Sequence, residues 1–262
     1  MANTKKKKSR VKKPVPRVQS PTSAPRRTID RRWYLGIALV AVVIVAVLVA
    51  FSAFGSGDDS SSPDVQAGGT LPGAAEVQGL LAGIEQKGLT LGKPDAPVTL
   101  IEYADVQCPF CAQYSVQTFP DVVNRYVKSG KVKVVFHGVA FIGPDSLTGL
   151  QAVQAAGQQD KLWNMLEMLY LNQGQENSGW ITDDVLEAAG RSVPGLDVDA
   201  MMSARSSSQV ESQIEDAAQA AKNDGVNGTP TFVVGKTSGG PTKSFTTLTI
   251  DGIAAQVDPL LK

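Results

Sequence analysis

The hydrophobic pattern divides the chain into three parts, and one uninterrupted apolar run separates the other two. Leu35–Phe54 contains twenty consecutive residues without a charge, most of them Val, Ala, Ile and Leu. At about 1.5 Å per residue, a helix of this length spans about 30 Å, the thickness of one hydrocarbon core. Trp33 and Tyr34 stand at its start, where aromatic side chains favour the membrane interface. The pattern predicts a transmembrane anchor over residues 33–54, with residues 35–54 inside the membrane.

Two other interpretations of this run are weaker. A cleaved signal peptide is compatible with small residues such as Ala53 and Gly55, but its apolar core usually has only about 7 to 15 residues. A buried helix of a soluble protein would carry a polar face, which this run lacks. We therefore interpret the run as an uncleaved signal-anchor.

The residues before the anchor are strongly basic, although the whole chain has a formal net charge of zero. Twelve of the 25 Lys and Arg residues precede Trp33, where only Asp30 opposes them. Basic flanking segments stay on the cytoplasmic side of a membrane. Residues 1–32 also have too few apolar side chains to form a core. The sequence predicts a disordered cytoplasmic tail over 1–32 and a single-pass protein of the cell membrane, with everything after the anchor outside the cytoplasm.

The part after the anchor divides into a linker and a folded domain. Residues 55–75 are rich in Gly, Ser, Asp and Pro, a composition typical of a flexible linker. The domain is predicted over residues 76–262. From Trp33 onward there are 24 acidic and 13 basic residues, so nucleic acid is excluded as a partner of the folded part.

The domain shows a mixed α/β pattern. A helix is predicted from Cys108 to about Lys128, bent at Pro120 because proline cannot donate to the preceding turn. Residues 142–224 show repeated helical spacing and almost no strand signal. The predicted strands are Pro97–Ala104, Lys131–His137, Thr231–Val234 and Ser244–Ile250, followed by a closing helix over Ile253–Leu261. This order indicates an α/β domain with a helical insertion.

The candidate chemistry lies in Cys108-Pro109-Phe110-Cys111, which holds the only two cysteines of the chain. Cys108 lies at the start of a predicted helix, shortly after the end of a predicted strand. The free N–H groups and positive dipole of a helix start stabilise a thiolate, and Pro109 loses no hydrogen bond in the first turn. Cys111 follows one turn later, within reach of a disulfide. The spacing predicts a redox-active pair, in which Cys108 is the exposed, low-pKa nucleophile and Cys111 is shielded and comparatively inert.

Three alternatives to a redox pair remain open. A zinc site needs about four ligands, so two cysteines and one histidine would have to share the metal between subunits. A structural disulfide stabilises mainly by closing a long loop, and this pair closes almost none. Two inert buried thiols would make the spacing a coincidence. The redox interpretation is favoured, and it requires no metal and no cofactor.

Three features together resemble the DsbA-type thiol:disulfide oxidoreductases of the thioredoxin-fold superfamily. They are the block Ala96–Cys111, the helical insertion, and the segment Gly225–Thr231, which reads GVNGTPT. The likeness covers about residues 88–262. It implies a thioredoxin fold with an inserted helical domain, here preceded by the transmembrane helix. It also implies disulfide exchange with unfolded or reduced secreted polypeptides, and a membrane redox partner that recycles the pair.

The resemblance assigns a role to Thr229 and Pro230. In the family, the proline of this motif is cis and lies against the active-site disulfide. The same geometry here would expose the backbone of Thr229 beside Cys108, as an edge on which a substrate chain can pair. The alternative is an ordinary trans peptide at the entry of a strand.

Glu102 lies six residues before Cys108 and matches the buried acid that accepts a proton from the second cysteine in the superfamily. A carboxylate in an apolar strand is costly unless it is paired or protonated, and burial raises its pKa. The competing interpretation is a strand residue in an ion pair, with Lys133 as its partner.

Phe110 is a departure from the family pattern. The strongly oxidising members carry histidine immediately before the second cysteine, where an imidazolium stabilises the thiolate. Phenylalanine supplies no such charge, so the sequence does not predict a powerful oxidant. The pKa of Cys108 is expected to be lowered mainly by the helix start and to lie above the strong oxidant's value of about 3.5. His137, the sole histidine, is expected at a strand end without a catalytic role.

Three functions compete on this evidence. The first is an extracytoplasmic dithiol oxidase that donates the Cys108–Cys111 disulfide to secreted or cell-envelope proteins. The second is a disulfide reductase or isomerase that a membrane partner keeps reduced. The third is a membrane-tethered, chaperone-like binding module whose thiols are incidental. Reduction potential separates the first two, because thiolate stability sets the direction of exchange.

The predicted topology can be tested directly. Because the basic tail precedes the apolar run, we expect protease added to intact spheroplasts to digest the chain after the linker. Immunoblotting against a C-terminal tag measures the loss of the domain, and a cytoplasmic protein serves as the lysis control. Protection of the domain in intact spheroplasts would contradict the topology.

Overall fold

The computed structural model describes residues 68–262. The predicted tail (1–32), the anchor (33–54) and most of the linker (55–75) lie outside the described residues and remain predictions. Between residues 68 and 262, no helix is both long enough and apolar enough to cross a membrane.

A six-stranded mixed sheet forms the centre of the domain. Its strands are β1 (Gln86–Lys87), β2 (Thr90–Leu91), β3 (Val98–Ala104), β4 (Val132–Gly138), β5 (Thr231–Lys236) and β6 (Lys243–Phe245). They lie in the order β1-β2-β4-β3-β5-β6. Only β3 and β4 are parallel to each other; the other neighbours are antiparallel. Because β3 is central and covered on both faces, nearly all of its residues are buried, as expected for a continuous apolar strand.

Helices pack on both faces of this sheet. They are α1 (Ala74–Leu81), α2 (Pro109–Gln117), α3 (Phe119–Val122), α4 (Pro144–Gly157), α5 (Leu162–Leu171), α6 (Asp183–Arg191), α7 (Val198–Ala204), α8 (Ser208–Asn223) and α9 (Ile250–Val257), followed by a 3₁₀ turn over Asp258–Leu261. Helices α4 to α8 form one block between β4 and β5. The predicted helical insertion over 142–224 is therefore present.

The alternation of side chains along β3 builds two separate cores. Leu100 and Ala104 point into the main core, which also contains both cysteines. Tyr103 points to the opposite face and packs in a smaller cluster with Val139, Ala221, Val226 and Val233. This period of two follows from the pleat of a strand, and it decides which β3 residues can reach the cysteine pair.

The helix that begins after Cys108 is broken earlier than predicted. Helix α2 ends at Gln117, and Thr118 separates it from α3, which continues into a π-helical turn over Val123–Val127. Thr118 donates its hydroxyl to the Leu248 carbonyl at 2.6 Å. Pro120 lies in the first turn of α3, where its missing N–H is not needed. The predicted bend exists, but it lies at Thr118 rather than at Pro120.

Two predicted boundaries are wrong. Strand β6 ends at Phe245 rather than Ile250, because Thr249 caps α9 by accepting a hydrogen bond from the Gly252 N–H at 3.3 Å. At the other end, the ordered domain begins before residue 76. Leu71 is buried, and its N–H donates to the Ser192 hydroxyl at 2.8 Å, so the end of the predicted linker belongs to the domain.

Aromatic packing joins the sheet to the helices. The Phe119 ring stacks on Trp163 of α5 with centroids 5.4 Å apart, and Phe136 of β4 meets Trp163 edge-on at 6.1 Å. The indole N–H of Trp163 donates to the Leu89 carbonyl at 3.2 Å. Because all three rings are fully buried, this cluster fixes the helical insertion against the sheet.

The cluster predicts a large effect on stability. We expect Phe119→Ala to lower the free energy of unfolding by about 3 to 5 kcal/mol, because it leaves a cavity beside Trp163. Urea denaturation measures the change. Val116→Ala, on an exposed side chain of α2, is the control and should cost less than about 0.5 kcal/mol. Equal costs for the two variants would contradict this account of the core.

Candidate active site

Cys108 occupies the N-cap of α2, at the junction of strand and helix that the sequence predicts. Its backbone is extended, and Pro109 takes the first helical position. The Cys108 N–H donates to the Asp105 carbonyl at 3.0 Å, and its own carbonyl accepts the first helical hydrogen bond from Ala112 at 3.1 Å. The sulfur is thereby held beside the free N–H groups of the helix start.

Sheet pairing brings Thr229 to the same place. Strand β5 runs antiparallel to β3, with Tyr103 opposite Thr231, so β5 begins where β3 ends. The Cys108 thiol consequently donates to the Thr229 carbonyl at 3.3 Å. The Thr229–Pro230 peptide is cis, as predicted.

The two cysteines differ in position but only slightly in exposure. Both are thiols in this structure. Cys108 is 4% exposed and Cys111 is fully buried. The prediction that Cys108 is an exposed nucleophile is therefore corrected, because the loop carrying Thr229 covers much of the sulfur. Pro109 and Phe110 are the exposed residues of the motif, Phe110 at 59%.

The environment of Cys108 favours the thiolate. A hydrogen bond from the Cys111 thiol is the main cause that lowers the pKa of Cys108 to about 6, against the opposing effect of burial. The Thr229 side chain and the backbone N–H groups of Phe110 and Cys111 contribute further. This pKa lies above the value of about 3.5 of a strongly oxidising pair, as predicted. The helix start is not the main cause, however, so that part of the prediction is wrong.

The pKa of Cys111 shifts in the opposite direction. Burial raises the pKa of Cys111 well above its ordinary value, and the neighbouring Cys108 and Glu102 raise it further. One cysteine of the pair is therefore a ready nucleophile and the other holds its proton. Ionisation of Cys111 requires a proton acceptor inside the protein.

Glu102 is placed to interact with that proton. Its side chain is 2% exposed, and its Oε2 has no hydrogen-bond partner among residues 68–262. Burial, followed by the charge of Glu167, raises the pKa of Glu102 well above its ordinary value. The alternative ion pair with Lys133 is wrong, because the Lys133 ammonium donates to the Pro94 carbonyl at 2.8 Å.

His137 lies away from the cysteine pair, within β4. Its ring meets Tyr103 edge-on, with centroids 5.0 Å apart, and Tyr103 belongs to the smaller core on the other face of the sheet. Burial lowers the pKa of His137. His137 therefore lies on the face of the sheet opposite the main core that contains both cysteines.

Asp105 is a site residue that the sequence analysis does not single out. Its buried carboxylate accepts hydrogen bonds from the backbone N–H groups of Gln107, Phe141 and Ile142 at 2.8 to 3.0 Å. It ties the loop before Cys108 to the loop after β4. A carboxylate at the end of a buried strand was the available signal, because such a group must find hydrogen bonds.

The helical insertion also holds the active-site loop. Gln173, just after α5, donates to the Val106 and Cys108 carbonyls at 2.9 and 3.2 Å, and the Tyr170 hydroxyl donates to the Asp105 carbonyl at 3.3 Å. Nothing in the sequence pairs these residues with the cysteines. The insertion therefore orients the backbone that carries Cys108.

A groove of about 480 Å³ opens beside the cysteine pair. It lies between the motif and the start of β5. Its lining consists of Phe110, Gly225, Asn227, Gly228, Thr229, Pro230, Thr231, Ser244, Thr246 and Leu248. The described range 68–262 holds no group of three or more side chains that could bind a metal ion.

The mixed sheet, the helical insertion and the unequal thiol pair define a thiol-active protein of the thioredoxin class. The family model described as thioredoxin matches residues 85–250, and the chain belongs to this family. Curated relatives from three Bacillus species carry the name disulfide bond formation protein D. The one from Bacillus cereus, named as probable, is 32% identical over 148 residues, which are 55% of this chain and 68% of the relative. The one from Bacillus subtilis is 27% identical over 146 residues, 55% of this chain and 66% of the relative.

Solved structures share the fold. BdbD from Bacillus subtilis, in its oxidised form, superposes with a TM-score of 0.60 at 24% identity, over 68% of this chain and 97% of that one. DsbA from Chlamydia trachomatis superposes with a TM-score of 0.58 at 21% identity, over 66% and 90%. The chain is a protein disulfide oxidoreductase with a thioredoxin-like fold and a helical insertion. A binding module with incidental thiols is not supported.

The geometry predicts how the thiols titrate. In the reduced protein, the ultraviolet absorbance of the thiolate should rise with a midpoint near pH 6, because Cys108 ionises first. Cys108→Ser should abolish this transition. Cys111→Ala should move the midpoint to higher pH, because the thiol that donates to the Cys108 sulfur is removed. A midpoint unchanged in Cys111→Ala would contradict the assigned cause.

The unequal positions also predict which variant traps substrate. Cys111→Ser should accumulate mixed disulfides with a scrambled, disulfide-containing protein: the Cys108 thiolate opens a substrate disulfide, and no second thiol remains to resolve the adduct. Cys108→Ser should trap little. Non-reducing gel electrophoresis with mass spectrometry of the adducts distinguishes the two, and the reverse pattern would exclude Cys108 as the attacking residue.

Proposed function

We propose that this protein is an extracytoplasmic dithiol oxidase that donates the Cys108–Cys111 disulfide to reduced secreted or cell-envelope polypeptides. The carrying observation is the lowered pKa of Cys108, about 6, beside a Cys111 that keeps its proton. A stabilised thiolate favours the reduced form of the pair, and this makes its disulfide oxidising. The names of the curated relatives, which describe disulfide bond formation, support the same direction.

Each turnover moves two electrons from the substrate to the pair. A substrate thiolate attacks the Cys108 sulfur, and the bond between the two cysteines breaks. Cys111 leaves and takes a proton from the Glu102 carboxyl. A second substrate thiolate then attacks the substrate sulfur of the mixed disulfide, and Cys108 leaves as a thiolate. The substrate gains a disulfide, and the protein retains both electrons as a reduced pair.

The groove beside Thr229 suits an extended polypeptide. The Thr229 carbonyl already accepts a hydrogen bond from Cys108. Gly225, Asn227 and Gly228, which precede it and line the groove, are exposed. Such an edge recognises main-chain groups rather than one sequence. Phe110, which is exposed, and Leu248 add apolar contacts at the rim. Unfolded or reduced secreted chains fit this recognition.

Continuous turnover needs an electron acceptor and a location. A membrane redox partner would reoxidise the Cys108–Cys111 pair after each transfer. The predicted anchor over residues 35–54, with the basic tail on the cytoplasmic side, would keep the domain at the outer face of the cell membrane and near that partner. These assignments belong to the proposal.

One observation favours disulfide exchange in the reducing direction. The pKa of Cys108 is about 6, closer to thioredoxin, at about 7, than to the strong oxidant DsbA, at about 3.5. Phe110 occupies the position at which a histidine would lower the pKa further. A disulfide reductase or isomerase, kept reduced by its membrane partner, is therefore the alternative.

Redox equilibrium with glutathione tests the proposal. We expect a reduction potential between about −270 mV, the value of thioredoxin, and about −120 mV, the value of DsbA. The oxidised protein should also introduce disulfides into reduced, unfolded ribonuclease, measured by recovery of ribonuclease activity. Cys108→Ser is the inactive control. A potential at or below that of thioredoxin, together with rapid reduction of insulin, would favour the reductase.

A further inference from the structure

A second buried carboxyl lies at the contact between the helical insertion and α2. Glu167 belongs to α5 of the helical insertion and is 6% exposed. Its Oε2 accepts a hydrogen bond from the Ser115 hydroxyl at 2.6 Å. Ser115 lies on α2, one turn after Cys111. The insertion therefore places a carboxyl directly against the helix that carries the resolving cysteine.

Glu167 and Glu102 interact through their charges. The pKa of Glu102 is raised first by burial and then by the negative charge of Glu167. Burial raises the pKa of Glu167 to about 7, while the hydrogen bond from Ser115 opposes the rise. Two carboxyls in one apolar interior resist double ionisation. An ionised Glu167 therefore keeps the proton on Glu102.

Three neighbouring titratable groups, Tyr114, Tyr170 and Cys111, hold their protons. Burial is the main cause that raises the pKa of Tyr114 on α2 and of Tyr170 on α5 well above the usual range. Cys111 faces Glu102 from α2 with a raised pKa, and Asp105 lies nearby at the end of β3, where its charge acts on Tyr170. None of these groups supplies a positive charge. The repulsion between the two glutamates is thus not offset by a cation among these neighbours.

A small cleft connects Glu167 to the surface. It has a volume of about 30 Å³ and is lined by Glu76, Val77, Leu80, Ser115, Val116, Pro120, Glu167 and Leu171. This is space for about one water molecule. The cleft shares no lining residue with the groove beside Thr229. Water can reach Glu167 while a substrate polypeptide fills the groove.

We propose that Glu167 is a positioning residue for proton transfer at Cys111: held by Ser115 and reached from the cleft, its carboxylate fixes the proton on Glu102. This rests on the proposed function, in which Glu102 exchanges a proton with Cys111. When Cys111 leaves the disulfide, the Glu102 carboxyl donates its proton to the departing sulfur. When Cys111 attacks a mixed disulfide, the same proton returns to Glu102. Glu167 touches neither the sulfurs nor the substrate and acts through Glu102.

Carboxyl NMR tests the coupling without requiring turnover. In the reduced protein labelled with ¹³C at the Glu side-chain carboxyl, the Glu102 signal is assigned by its loss in Glu102→Gln. We expect Glu167→Gln to lower the pH midpoint of Glu102, because the repelling charge is gone. Glu215→Gln, on an exposed carboxylate of α8, is the matched control and should leave the midpoint unchanged.

Kinetics supplies a second readout. Resolution of a mixed disulfide by Cys111 should reach its pH inflection at lower pH in Glu167→Gln, because Glu102 becomes a carboxylate earlier. Ser115→Ala should raise the midpoint of Glu167 above about 7, because the hydroxyl that stabilises its ionised form is lost. If Glu167→Gln does not fold, Ser115→Ala is the second variant that tests the coupling between Glu167 and Glu102.

The outcomes separate the two proposals. The positioning role is overturned if the Glu102 midpoint in Glu167→Gln equals that of the wild type, or if Glu215→Gln moves it equally. A wild-type protein without thiol exchange would instead overturn the proposed function, while the NMR titration would still decide whether Glu167 controls the proton on Glu102.

Discussion

The hydrogen bond between the Cys108 thiol and the Thr229 carbonyl depends on the whole architecture of the domain. It exists because β3 ends where β5 begins, so the start of a helix and the start of a strand meet at one edge of the sheet. The two residues are 121 positions apart, and the helical insertion fills most of that interval. The antiparallel pairing of two central strands is therefore the constraint that creates a site at all.

Burial then makes two identical side chains chemically unequal. Cys108 lies at a helix start with donors around its sulfur, whereas Cys111 lies one turn inside, in an interior that penalises charge. The hydrogen bond between the thiols links the two effects, since the proton that Cys111 keeps is the one that stabilises the Cys108 thiolate. The inequality is a property of the pair, and neither residue has it alone.

The helical insertion does more than cover the sheet. Gln173 and Tyr170 hold the loop that carries Cys108, while Glu167 meets α2 through Ser115. Helix α5 and the residues just after it thus contact two parts of the site. These are the backbone of the loop that carries Cys108 and helix α2, which follows it. Removing the insertion would remove the hydrogen bonds that orient the active-site loop, and it would remove one of the two buried carboxyls.

Features that depend on neighbours along the chain can be recognised from the amino-acid sequence alone. These are the strand that leads into Cys108, the position of Pro109 in the first turn, the cis peptide before Pro230 by resemblance, and the helical block after β4. Features that depend on distant residues follow only once the chain has folded: the cover over Cys108, the partners of Asp105, the hydrogen bond of Lys133 to Pro94 rather than to Glu102, and the approach of Glu167. Hydrophobic period and helix-start chemistry act over a few residues and can be recognised in the sequence. Burial and charge coupling act through space, and they exist only after the chain has brought α5 and β5 to the end of β3.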